Sequence, residues 1–112
     1  MIYDLSLLLP VVVAHKLCRA NGGQVWKREL DIVLSEIEKR LRSVVGVRVP
    51  LKEYDRIPFF LAYFKIEGDL VKPRHDKEYM EQAIKWHLNS LAHEDKRASK
   101  ILVKLVGEYL KQ

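Results

Sequence analysis

Nothing in this chain restricts its fold more than the run LSLLLPVVVA at residues 5–14. Only Ser6 and Pro10 interrupt it. A helix that is apolar all round must be covered on every side. A chain of 112 residues has room for one hydrophobic core. The run is therefore expected to be the central helix of a single domain spanning residues 1–112, or a helix covered by a partner subunit. Ser6 suits an N-cap, which predicts a helix from about Leu7 to Ala20 with Pro10 in its first turn, where the missing donor costs least. Asn21-Gly22-Gly23 provides a left-handed exit. Asp4 stands where a signal peptide carries a cation, and no small-x-small cleavage site follows. The run is also short of the roughly 20 residues a membrane span needs. This predicts a cytoplasmic protein with no membrane association.

Periodicity extends the helical reading. Trp26, Leu30, Val33, Ile37, Leu41 and Val44 step at helical spacing, with Leu34 widening the stripe, so an amphipathic helix is expected from about Gln24 to Val44. Residues 46–73 are ambiguous. VGVRVPL alternates like a short strand. The stretch from Ile57 reads as a helix over 58–66, with Pro58 in its first turn and Asp55 as a cap. The run exceeds the usual strand length, which favours the helix; a hairpin turning at Gly68-Asp69 is the alternative. A fourth helix is expected from about Asp76 to His93, opened by Asp76 and Glu78 at its positive end. Met80, Ile84, Leu88 and Leu91 line one of its faces; Tyr79, Ala83, Trp86 and Ser90 line another. A fifth is expected from about Asp95 to Leu110. The fold class is thus all-α, a compact bundle of four to five helices, with a short β-hairpin insertion between residues 46 and 73 as the alternative to continuous helix.

Composition narrows the chemistry. The chain is 48% hydrophobic and 31% charged, which excludes a disordered polyelectrolyte. Cys18 is the only cysteine, so no disulfide framework and no thiolate metal cluster is expected. Twelve Lys and nine Glu against two Asn and three Gln resemble a hyperthermophile bias. The five glycines fall in neither GxxxxGK nor GxGxxG, so no phosphate cradle is built. His87 and His93 are six residues apart on different faces, unlike a helical zinc pair, and no cofactor or metal is expected. Arg74-His75-Asp76 has the residue types for acid–base work but sits in a polar stretch at a helix start. His87 lies within an apolar stripe, the place of a hydrogen-bonded packing residue. No catalytic residue is assigned, and the chain reads as a non-enzyme.

The net charge of +5 suits an anionic partner. On a wheel of about 100° per residue, Arg97, Lys100, Lys104 and Lys111 form one band beside the apolar stripe of the last helix, with Glu108 the only acid near it. Four cations spread over four turns match the pitch of a phosphate backbone without reading bases. Lys39, Arg40 and Arg42 at the end of the second helix are secondary candidates; dipole complementarity would explain them equally. A second, aromatic set, comprising Tyr79, Trp86, Phe59, Phe60 and Tyr63, exceeds what one apolar face can hide and is read as a partner interface.

KRASKILVK on the last helix, EKRLR on the second and VRVPLKEYDRIPFFLAYFKIEGDLVK between helices together resemble the small helical subunit of archaeal type I CRISPR interference (Cascade) complexes. The resemblance covers most of the chain in outline and lies in architecture and charge, without a motif. It implies a non-catalytic subunit, stacked in several copies within a larger complex, whose basic residues hold displaced DNA. The alternatives are a protein–protein interaction module with a solvated basic face, and a small helical DNA-binding regulator. A small nuclease using His75 or His87 is the remaining rival.

Overall fold

The computed structural model describes residues 2–110, with side chains from Leu5 to Leu110. Those residues form helices α1 (Ile2–Ala20), α2 (Lys27–Val45), α3 (Pro58–Tyr63), α4 (Lys77–Glu94) and α5 (Lys96–Tyr109). Between them lie strands β1 (Val25–Trp26), β2 (Phe64–Glu67) and β3 (Leu70–Pro73), and a 3₁₀ turn at Tyr54–Arg56. The all-α bundle is present, and the hairpin alternative is realised together with a short helix in front of it. None of the helices is long and apolar enough to cross a membrane.

α1 is the central helix. It packs on α2, α3, α4, α5 and strands β1 and β3, and every residue from Leu8 to His15 is buried. The chain itself therefore covers this helix. Its start differs from the expectation built on Ser6. The helix begins at Ile2, so Ser6 is not its cap and Pro10 lies in the helix interior. An interior proline costs about 3 kcal/mol. Each fully buried Leu or Val returns about 1.5–3 kcal/mol, and the run holds Leu8, Leu9, Val11, Val12 and Val13, all buried. Burial outweighs the local penalty.

α2 starts later than its hydrophobic pattern suggests. Trp26 is not the first residue of the apolar stripe. It is extended, 48% exposed, and pairs with Leu70 while Val25 pairs with Val71. The buried side of α2 is Leu30, Leu34, Ile37 and Leu41. The helix ends at Gly46, whose φ of 81° is the left-handed cap that glycine adopts without strain and whose N–H donates to the Arg42 carbonyl. The following VGVRVPL is not a strand. Its alternation survives as burial, with Val49 and Leu51 inside and Val47 half exposed. Glu38 on α2 organises this loop, accepting from the Leu51 N–H at 3.1 Å and pairing with Arg48 at 3.7 Å.

The predicted 58–66 helix stops at Tyr63, where the chain turns extended and enters the hairpin. β2 and β3 pair antiparallel from Phe64↔Pro73 to Glu67↔Leu70. The sheet order is β1-β3-β2. Gly68 at φ 62° and Asp69 at negative φ form the two-residue turn, with glycine at the first position as a type II′ turn requires.

Asp76 caps α4, accepting from the Tyr79 N–H at 2.8 Å. Asp95 alone joins α4 to α5. Its N–H donates to the Leu91 carbonyl at 2.7 Å, closing α4, and its carboxylate accepts from Ala98 N–H at 3.0 Å, opening α5. Asp95→Ala should lower stability by about 1 kcal/mol, with Asp95→Asn close to wild type. Urea unfolding checks this; an Ala variant as stable as wild type would remove the capping role.

Candidate nucleic-acid interface

The orientation of α5 follows from its apolar positions. Ala98, Leu102, Leu105 and Val106 are buried. Residues out of phase with them are pushed outward, so Arg97, Lys100 and Lys104 are exposed. α5 carries four cations, Lys96, Arg97, Lys100 and Lys104, against one carboxylate, Glu108. Lys111 lies outside the described residues.

α2 packs against α5. Arg40 Nε meets Glu108 Oε1 at 3.5 Å, which sets the C-terminal parts of the two helices side by side. This pair has two consequences. It engages the one acid of the α5 band, and it sets Arg40 beside that band. Lys39 and Arg42 are exposed at the same end of α2 but lie about 100° and 160° round the helix from Arg40. Glu108 is one turn beyond Lys104, a rise of about 6 Å along the axis. The two basic clusters named from sequence therefore meet at Arg40 alone. Among the described residues, Arg97, Lys100, Lys104, Lys39 and Arg42 form no ion pair, while Arg40 is held by Glu108. Half-exposed pairs of this kind hold weakly. The Arg40–Glu108 contact could not be read from either helix alone, because it depends on which faces pack.

Two cations near the hairpin are committed elsewhere. Lys72 pairs with Glu67 at 2.9 Å. Arg74 Nε donates to the Leu61 carbonyl at 2.6 Å and the Phe64 carbonyl at 3.2 Å. In Arg74-His75-Asp76 all three side chains serve the backbone: His75 Nε2 lies 3.3 Å from the Ala62 carbonyl, and Asp76 is the α4 cap. No group of three or more His, Cys, Asp or Glu among the described residues is placed to hold a metal ion.

The aromatic set divides. Trp86 is 65% and Tyr79 52% exposed. Phe59 and Tyr63 are half buried. Phe60 is buried and must be removed from the partner face. It stacks on Phe64 with centroids 4.9 Å apart and tilts against Tyr54 at 4.7 Å, so it is core. A groove of about 210 Å³ runs beside Trp86, lined also by Leu7, Leu8, Phe59 and Leu91. At its side the Tyr63 hydroxyl meets His87 Nε2 at 2.8 Å, and the edges of Phe59 and Trp86 flank the imidazole. His87 is the hydrogen-bonded packing residue that its place in the apolar stripe suggests.

Burial lowers the pKa of His87 below 6.5, and burial together with the Arg19 charge lowers that of His15. Between the folded values and 6.5 the unfolded chain binds more protons, so stability rises with pH. The contribution is complete above 6.5 and is lost as pH falls towards the folded values. Melting temperature should therefore drop between about pH 7 and 5. The drop should be shallower in His87→Phe; an identical slope in that variant would show that His87 does not contribute.

Comparison with protein-family models, curated proteins and solved structures finds no match.

Proposed function

We propose that this chain is a non-catalytic assembly subunit that grips the phosphate backbone of nucleic acid, in the first place DNA, without reading base sequence. The observation that carries this reading is the exposed band of α5, where Arg97, Lys100 and Lys104 accompany one acid, Glu108, which is paired with Arg40. Solvated helix faces ordinarily intersperse the two signs. A surface of one sign raises the local concentration of an anionic polymer and loses its counterions on contact. Arg97, Lys100 and Lys104 are the primary contacts, with Lys39 and Arg42 at the end of α2 as secondary ones. Arg40 joins when Glu108 releases it. The reading accords with the resemblance to Cascade small subunits, which would imply repeated copies beside other subunits of a larger complex.

A second reading rests on a different observation. Trp86 and Tyr79 are large, rigid and open to solvent on α4, as anchors of a protein interface are. The two readings separate by location. Titrating mixed-sequence single-stranded and duplex DNA into isotope-labelled protein at low salt should shift the amides of 97–104 and 39–42 first. Shifts confined to the surroundings of Tyr79 and Trp86, or none at all, would transfer the function to protein contact.

A further inference from the structure

A second site lies away from the basic band of α5 and shares no residue with it. Between the end of α1, the hairpin and the start of α4 there is a cavity of about 400 Å³. Phe64, Pro73 and Met80 give it apolar walls; Arg19 and Lys77 line it as well. The volume falls within the range of small-molecule sites and far exceeds the roughly 30 Å³ of one water. Gly22 and Gly23 form a bare edge, since a Cβ on either would meet nothing within 4 Å.

His15 separates this cavity from a packing defect. Its side chain is only 9% exposed. It makes no hydrogen bond among the described residues, yet no buried side-chain nitrogen or oxygen there is sealed off without a partner. Its ring nitrogens therefore open into the space His15 lines, which is this cavity and an adjoining recess of about 140 Å³. Burial, then the Arg19 charge, lowers its pKa; a neutral imidazole offers one donor and one acceptor.

The cavity lining holds two cations, Arg19 and Lys77, and no carboxylate; the exposed Glu78 beside Lys77 is outside the lining. Lys77 is the first residue of α4, where the helix dipole favours an anion, and it forms no ion pair among the described residues. Arg19 pairs with Glu81, both about half exposed. The Asp76 carboxylate is engaged by the Tyr79 amide. Cys18 contributes a wall and no nucleophile, because burial pushes its thiol up to about 11.

We propose that this cavity binds a small apolar molecule carrying one anionic group, of the class of aromatic monocarboxylates. The apolar body lies on Phe64, Pro73 and Met80, the anion faces Lys77 and Arg19, and His15 hydrogen-bonds a polar atom at the inner end.

The probe is 2-naphthoate, with neutral 2-naphthalenemethanol as its control, titrated into isotope-labelled full chain. Naphthoate should saturate with a dissociation constant on the order of 0.1–1 mM. It should shift the His15 ring and the amides of Gly22, Gly23 and Met80. The neutral alcohol should bind about tenfold more weakly, as loss of a charge-assisted contact requires. Arg19→Gln with Lys77→Gln changes two surface groups, leaves the fold's amide spectrum in place, and should weaken naphthoate by about tenfold. No saturable shift, shifts that map to the α5 lysines instead, or unchanged affinity in the double variant would each overturn the site.

Discussion

Lys100→Glu combined with Lys104→Glu will abolish detectable nucleic-acid binding at physiological salt while the protein stays folded. Both side chains are exposed and form no ion pair among the described residues, on consecutive turns of α5. Non-specific affinities of about 10⁻⁴–10⁻⁶ M are shared among a handful of phosphate contacts, so each is worth on the order of 1 kcal/mol. The double variant removes two contacts and introduces two repulsions. A loss of roughly 30- to 1,000-fold follows, enough to carry a weak complex beyond measurement. Stability should change little, because Glu and Lys have similar helix propensity and exposed substitutions shift stability by about 0.5 kcal/mol. A melting temperature within a few degrees of wild type distinguishes lost contact from lost fold. Undiminished affinity in the folded double variant would exclude α5 as the contact surface.

Phe60→Ala will have the largest effect on stability of any change in the aromatic set. Phe60 is 1% exposed and sits between Tyr54 and Phe64. Truncating a buried phenylalanine costs about 3–5 kcal/mol through lost transfer energy and the cavity left behind. A domain of this size has about 5–15 kcal/mol in all. The expected fall in melting temperature is about 12–20 °C. Trp86→Ala, at a position 65% exposed, should cost below about 1 kcal/mol. Measured side by side, the pair separates a core aromatic from a surface one. Equal losses would mean that Trp86 is covered in solution by another chain.

The contrast between these two rings marks where sequence reading succeeds here. Features with a local cause were legible. Asp76 and Asp95 open α4 and α5 because a short carboxylate satisfies the first free amides. Gly68-Asp69 turns the hairpin because only glycine takes φ 62° freely. The apolar run at 5–14 is central because no other location hides a helix on all sides. Features with a non-local cause were not. Pro10 argues for a helix starting at Leu7, and only packing against four other helices explains why the helix includes it. Val25–Trp26 becomes a strand because β3 offers an edge far along the chain. VGVRVPL alternates like a strand but finds Glu38 rather than a ladder partner. Of the basic residues, the cation stripe of α5 was visible in its periodicity. Its contact with the end of α2 through Arg40 and Glu108 required the tertiary structure. His15 had one faint signal, a polar ring directly after the apolar run of 5–14.

The most direct test of backbone gripping is the salt dependence of affinity, read by fluorescence anisotropy with labelled single-stranded and duplex DNA and RNA of mixed sequence. The three exposed α5 cations, Arg97, Lys100 and Lys104, imply a slope of log K against log salt of about −3 on duplex DNA. Affinity should fall steeply with salt and vary little between sequences. Absence of binding at low salt, or an affinity indifferent to salt, would contradict the account and leave the α5 band as a solvated face of a protein that acts through Trp86 and Tyr79.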